Sequence, residues 1–177
     1  MNRIPTKDEA EKILYEVGCS KRVIEHSKAV TSLAVKIAEE IAKKGVNVNL
    51  KLVEAGALLH DIGRVRTRSV LHGYYGGEIA RKLNLPEPLI NIIEKHVGAG
   101  IPLDEAVKLG LPPKNYMLET LEEKIVAYAD KRIKHNRVIS FKSSLKEFKV
   151  KLGENHPAIE RLKKLHREIC SLLGYEF

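Results

Sequence analysis

Apolar positions recur along most of the chain at the three- and four-residue spacing of one helix face, and nowhere do they alternate over the length a strand needs. Val23, Val30, Leu33, Ile37 and Ile41 trace one such stripe, from a capping Ser20 to about Lys44, where Gly45 stops it. Before it, Thr6-Lys7-Asp8-Glu9 has the form of a capping box and opens a first short helix ending near Gly18. Asn49 caps a third helix, apolar from Leu50 to Leu59 and therefore read as buried. After a basic, irregular segment from Val65 to Leu71, a helix is predicted from His72 to Leu83. Another is predicted after Pro86 and Pro88, carrying Leu89, Ile92, Ile93 and Val97 and ending at Gly98 and Gly100. A loose stretch to Glu119 holds one short helix around Asp104 to Leu109. Thr120-Leu121-Glu122-Glu123 is a second capping box, followed by Ile125, Val126, Ala129 and Ile133. Two further helices, from about Ser144 to Leu152 and from Pro157 to Leu173, end the chain. The pattern describes an all-α protein with no internal repeat, no low-complexity region and no domain boundary.

Polar residues interrupt these apolar faces at particular places. His60-Asp61 ends the buried third helix; either group enclosed without a partner is expensive. On the dipeptide alone, a helix surfacing at its C-terminus with Gly63 as the cap reads equally well. His26 lies on the stripe of the second helix, His72 and His96 on the faces of the fourth and fifth, and Asp130 between Val126 and Ile133. Singly, each reads as a satisfied core histidine or a cap. Six of them in one small helical chain would each need its own buried partner. Helical bundles build metal sites from His and carboxylate side chains projecting inward from different helices. This donor set, nitrogen and oxygen without thiolate, suits Mn, Fe, Co, Ni or Zn as the divalent ion, and Mg less.

Composition narrows the setting. A chain of 177 residues is about one domain, and with 5% aromatics and no Trp its core is aliphatic. Cys19 and Cys170 form no CxxC pair and fit a reducing cytosol. The start, Met1 to Pro5, lacks an apolar signal core, and no run approaches a membrane span, so a cytoplasmic protein is expected. A net charge of +8 favours anionic partners, nucleotides or nucleic acid, against the plainer reading of scattered surface lysines.

The order and spacing of His26, His60-Asp61 and Asp130 resemble the H…HD…D signature of the HD superfamily of metal-dependent phosphohydrolases, over roughly Ser20 to Lys134. The whole chain is most similar to small stand-alone archaeal members. The resemblance implies an HD-domain helical bundle over residues 1–177, with a core of about 20–134 on which helices 144–173 pack. It implies that His26, His60, Asp61 and Asp130 bind one divalent ion. His72 and His96 resemble the two further histidines of branches with a binuclear centre, among them the HD-GYP cyclic-dinucleotide phosphodiesterases and the diadenosine tetraphosphate hydrolases; there Asp61 would bridge two ions. Two features depart from the pattern. Arg64 stands where many relatives have lysine, and an arginine holds phosphate bidentately but does not give up its proton. Gly73-Tyr74-Tyr75 does not match the GYP motif, which disfavours cyclic-di-GMP as substrate.

The expected activity is hydrolysis of a phosphate ester, mono or di, in a nucleotide or related small phosphorylated metabolite, with metal-activated water. Asp61 is the central catalytic group. Arg64 and Lys131 are the expected phosphate clamps among the nearby cations Arg64, Arg66, Arg68, Lys95, Lys131 and Arg132. Tyr74 and Tyr75 read as packing residues, and His135, His156 and His166 as surface residues, with His156 a helix cap. The alternative is a metal-stabilised scaffold that binds RNA or nucleotide without turnover. The glycine- and proline-rich stretch Val97 to Glu119 is expected to fold down beside the metal centre as one wall of the substrate cleft.

Overall fold

The computed structural model describes residues 3–176; of the N-terminal segment considered above, Met1 and Asn2 lie outside the described residues. The helices fall where the apolar periodicity puts them: α1 (Lys7–Glu16), α2 (Lys21–Lys43), α3 (Leu50–Leu59), α4 (His72–Lys82), α5 (Glu87–Lys95), α6 (Leu103–Lys108), α7 (Leu121–Lys131), α8 (Phe141–Leu152) and α9 (Pro157–Leu173). Both capping boxes form as read: Thr6 and Glu9 exchange side chain-to-backbone hydrogen bonds at the start of α1, and Thr120 and Glu123 do so at α7. Ser20 and Asn49 cap α2 and α3 through their side chains.

α3 is apolar nearly all round, and accordingly it is the interior helix, packed by α1, α2, α5 and α7. Leu58 and Leu59 at its end are fully buried, so the His60-Asp61 step that follows starts inside the protein rather than at its surface. The chain then turns through a short 3-10 helix, Ile62–Val65, which lies against α4. α4 pairs with α5, and α9 packs on α2, α7 and α8. Among the described residues, no helix is long and apolar enough to cross a membrane.

Gly63 is not a helix cap. A Cβ there would lie 1.9 Å from the carbonyl oxygen of His72 and 2.5 Å from the amide nitrogen of Gly76, so only a bare backbone lets the 3-10 helix close onto α4. α8 begins at Phe141, capped by Ser140, three residues before the expected start. Ser144 is buried instead, with its hydroxyl donating to the carbonyl of Lys131 at 2.6 Å. Between α7 and α8 lies a hairpin that the periodicity does not reveal. β1 (Ile133–Lys134) pairs antiparallel with β2 (Arg137–Val138) around His135 and Asn136, both at positive φ, as a two-residue hairpin turn requires. Strands of two residues are too short for alternation to show.

The stretch after α5 has a small core of its own. Ile101, Ala106, Leu111 and Tyr116 cluster apart from the main core and are joined by Val70, Leu71, Tyr74 and Val97. Gly98, Gly100 and Gly110 supply the positive φ values that let a short segment turn this often. Lys95 anchors the end of the segment from below, buried against Glu119 at 2.7 Å and Glu123 at 3.1 Å.

Candidate metal centre

Six side chains from five elements meet at one point. α2 brings His26, the end of α3 brings His60 and Asp61, α4 opens with His72, α5 closes on His96, and α7 supplies Asp130. His26 Nε2 lies 2.9 Å from Asp130 Oδ1, and His60 Nε2 lies 3.5 Å from the same oxygen. Asp61 divides its two oxygens between neighbours. Oδ2 is 3.8 Å from His60 Nε2, whereas Oδ1 is 3.2 Å from His72 Nε2 and 3.4 Å from His96 Nε2. His72 and His96 approach each other at 3.0 Å between their Nε2 atoms.

The ring orientations follow from leftover backbone acceptors. The last carbonyls of a helix have no intrahelical partner, and the His60 and His96 rings take them up: Nδ1–H donates to the carbonyl of Ala57 and of Ile93, each at 2.7 Å. His72 Nδ1–H donates likewise to the Ser69 carbonyl at 2.7 Å. A carbonyl only accepts, so in all three rings the proton sits on Nδ1 and the Nε2 lone pair faces the common centre. His60 Nε2 is fully enclosed and has no hydrogen-bond partner. Lone pairs converging beside two carboxylates, with one nitrogen orphaned, repel one another unless a cation lies among them, and tying Nδ1 to a carbonyl is how metal-binding imidazoles are commonly oriented. The donors group within ligand distance as His26, His60 and Asp130 and as His60, Asp61 and His96. They fit a divalent metal.

The local charges agree. Burial alone would raise the Asp61 carboxyl, but the surrounding His60, His72 and His96 rings outweigh it and hold Asp61 well below the usual carboxylate range. Asp130 is held low against the same burial by Lys131, His26 and His60. His96, wholly enclosed, is pushed down to about 3 by burial, against the pull of Asp61, and so stays neutral.

A cleft of about 760 Å³ opens over this cluster, and Asp130 and His72 appear in its floor. Three of the sequence-nominated cations, Arg64, Arg68 and Lys131, line it. Arg64 Nε donates to Asp61 Oδ1 at 3.1 Å and its Nη1 to the Arg68 carbonyl at 2.9 Å. Lys131 pairs with Asp130 and reaches the His96 carbonyl at 3.4 Å. Val97, Gly98, Gly100, Ile101, Glu105, Lys108 and Leu109 line the same cleft, so the stretch after α5 lies beside the cluster.

Other nominated residues lie elsewhere. Lys95 is buried in its pairing with Glu119 and Glu123, and Arg132 in bonds to the Tyr128 hydroxyl at 2.6 Å and the Ile139 carbonyl at 2.7 Å; both serve packing. Arg66 sits over the Tyr75 ring at 5.8 Å. His156 caps α9, accepting from the Ala158 amide. His166 is not a surface residue. It is 8% exposed, accepts a hydrogen bond from or donates one to the Tyr128 hydroxyl at 2.8 Å, and stacks on Phe141 with ring centroids 3.6 Å apart. Its position on a lysine-rich helix hid this, although Leu162, Leu165 and Ile169 share its face. Cys19 and Cys170 are free thiols. Sequence reading missed Arg161 and Glu105, which meet across the cleft at 2.5 Å and carry no motif.

Residues 23–133 match the HD domain family. A protein of Methanocaldococcus jannaschii, described only as uncharacterized, is 48% identical over 155 residues, which is 88% of this chain and 92% of that one. A tRNA (cytidine(56)-2'-O)-methyltransferase of Thermoplasma volcanium is 40% identical over 173 residues, 98% of this chain but 49% of the other, so this chain spans about half the length of that relative. Among solved structures, the HD domain of the Listeria monocytogenes phosphodiesterase PgpH in complex with cyclic-di-AMP has the same fold. The TM-score is 0.56 at 18% identity, over 93% of this chain and 95% of that one. All six converging groups fall inside the matched span, and the chain belongs to the HD domain family, a phosphohydrolase-type family.

Proposed function

We propose that the protein is a metal-dependent phosphohydrolase acting on a phosphate ester of a nucleotide or related metabolite, and that residues 1–177 act as one HD unit. The observation that carries this is the convergence of His26, His60, Asp61, His72, His96 and Asp130, with three rings locked Nε2-inward, under a basic cleft. His26, His60, Asp61 and Asp130 hold one ion. His72 and His96 would help to hold a second ion, and Asp61, whose two oxygens face different histidines, would serve both. An imidazole-rich set of this kind selects Mn, Fe, Co, Ni or Zn over Mg. When bound, the divalent ion supplies a water of lowered pKa at neutral pH and draws negative charge from a phosphoryl oxygen.

The chain's own residues do the rest. Asp61 and Asp130 stay ionised at neutral pH and keep the centre charge-balanced. Arg64, which lines the cleft, is oriented by Asp61 and by the Arg68 carbonyl and grips a phosphate oxygen there. Lys131 is the second clamp, positioned by Asp130. Residues 97–109 form one wall of the cleft, and a substrate filling it would displace water from the floor and strengthen each of these charge contacts.

The test is metal analysis of the native protein with a panel of nucleotide and phosphodiester substrates, run on wild type and on Asp61→Asn. Metal-dependent phosphate release lost in the variant is the expected result; full turnover in Asp61→Asn refutes the reading. A second reading, an RNA-binding scaffold without turnover, is favoured by one observation. Relatives 40% identical carry this sequence as about half of chains named tRNA methyltransferases. A salt-sensitive RNA shift without phosphate release selects it.

A further inference from the structure

The cleft is larger than one phosphoryl group needs. At about 760 Å³ it lies in the upper part of the roughly 300–1,000 Å³ range of small-molecule sites. Its lining holds seven Lys or Arg and three Asp or Glu side chains, an excess of four positive charges, half of the chain's net +8. Of these, Asp130 lies in the floor, and Arg64 and Lys131 are the clamps described above. The wall built by α6, α8 and α9 carries none of the six converging groups, yet it presents Lys108, Lys151 and Arg161 beside the apolar faces of Phe148 and Leu152.

Arg161 is the built part of that wall. Its side chain is 17% exposed, and one Nη2 hydrogen goes to Glu105 Oε2 at 2.5 Å. The other oxygen of Glu105 faces His156 Nε2 at 3.5 Å. His156 Nδ1 accepts the Ala158 amide hydrogen, so its proton sits on Nε2, the side of Glu105. Both oxygens of Glu105 are therefore engaged, while Arg161 Nε is enclosed with no partner. A buried guanidinium N–H without an acceptor costs free energy, and here it stands in a wall whose charge is already positive.

We propose that the α6–α8–α9 wall is a second anion subsite and that the substrate is a short oligonucleotide. Its scissile phosphodiester lies over the His/Asp cluster, a neighbouring phosphate meets Arg161 and Lys151, and a base rests on Phe148. A mononucleotide keeps its phosphates together and leaves this wall without a ligand; a second phosphate one nucleoside away reaches it. In the reaction, the oxygen of water bonds to phosphorus, the phosphorus–oxygen bond to the leaving nucleoside breaks, and that oxygen takes a proton from the water. This assignment rests on the hydrolytic reading of the cluster.

The experiment separates the two. Fluorescence anisotropy with metal-stripped wild-type protein compares a dinucleotide bearing a 5'-phosphate with the same dinucleotide lacking it. The phosphorylated form is expected to bind about tenfold tighter, the size of one charge-assisted contact. Arg161→Gln and, separately, the exposed-side Lys151→Ala are each expected to reduce that ratio. No preference in wild type, or a ratio unchanged in both variants, overturns the subsite. Wild type loaded with Mn²⁺ is then given bis(p-nitrophenyl) phosphate. Turnover without a dinucleotide preference leaves the hydrolase and ends the subsite. A preference without turnover ends the hydrolytic reading and the substrate assignment with it.

Discussion

His72 and His96 point their Nε2 atoms at one another across 3.0 Å, while each ring is committed at Nδ1 to a carbonyl three residues back. Two lone pairs at that distance cannot form a hydrogen bond, and His96 is kept neutral by its burial. The contact makes chemical sense with a cation against both nitrogens, which leads to the first expectation. Metal content should fall from about two equivalents to about one when both histidines become alanine. A double variant that retains the wild-type stoichiometry shows that these rings are packing residues.

Asp61→Ala should lose metal and turnover and keep its helical circular dichroism. An ion present at a hundred times its Kd stabilises the fold by about 2.7 kcal/mol. The melting temperature of wild type should therefore drop on chelation, and that of the variant should hardly change. A chelator-dependent shift of equal size in both proteins would place the ion elsewhere.

Gly63→Ala tests the backbone contact behind the cluster. With the His72 carbonyl 1.9 Å from the new methyl, the 3-10 helix must lift off α4. Overpacking of this kind destabilises by roughly 1–3 kcal/mol, read by urea denaturation. Because His72 begins α4, metal affinity should weaken as well. Wild-type stability together with wild-type affinity would show that this approach is not required.

His166 is held below its ordinary 6.5, first by burial and then by the Arg132 charge. Its unfolded form takes up a proton at a higher pH than its folded form. Its contribution to stability is therefore complete above about pH 6.5 and declines as the pH falls below that value. His166→Gln should flatten the slope of stability against pH between about 5 and 7 relative to wild type. Parallel profiles for the two proteins would mean that the ring is protonated in the fold.

Shortening the α6 region, residues 103–110, should change KM or substrate choice and leave metal content intact, because these residues line the cleft without joining the cluster. Kinetics unchanged across a substrate panel would separate this wall from substrate binding.

What could be read from the chain alone was local. Thr6 with Glu9, and Thr120 with Glu123, satisfy backbone groups within four residues, so their signature survives in one dimension. Helical phase put His26, His72, His96 and Asp130 on apolar faces, and the fold brought those faces together. Features set by distant partners were not visible. Lys95 and Arg132 resemble phosphate clamps until Glu119, Glu123 and Tyr128 arrive from elsewhere. His166 resembles a surface residue until Tyr128 and Phe141 enclose it. Gly63 resembles a stop signal because the carbonyl it makes room for comes nine residues later.

The separate apolar cluster of Ile101, Ala106, Leu111 and Tyr116 has an evolutionary consequence. A segment with its own small core opens at a lower free energy than the bundle beneath it, so its amides should exchange with deuterium ahead of those of α3 and α7. The same insulation makes it a replaceable part. Substitutions that reshape the cleft can accumulate there and draw only on that cluster's modest stability, while the histidine-bearing bundle keeps its packing. One scaffold can thereby be refitted to new ligands without having to refold around each of them.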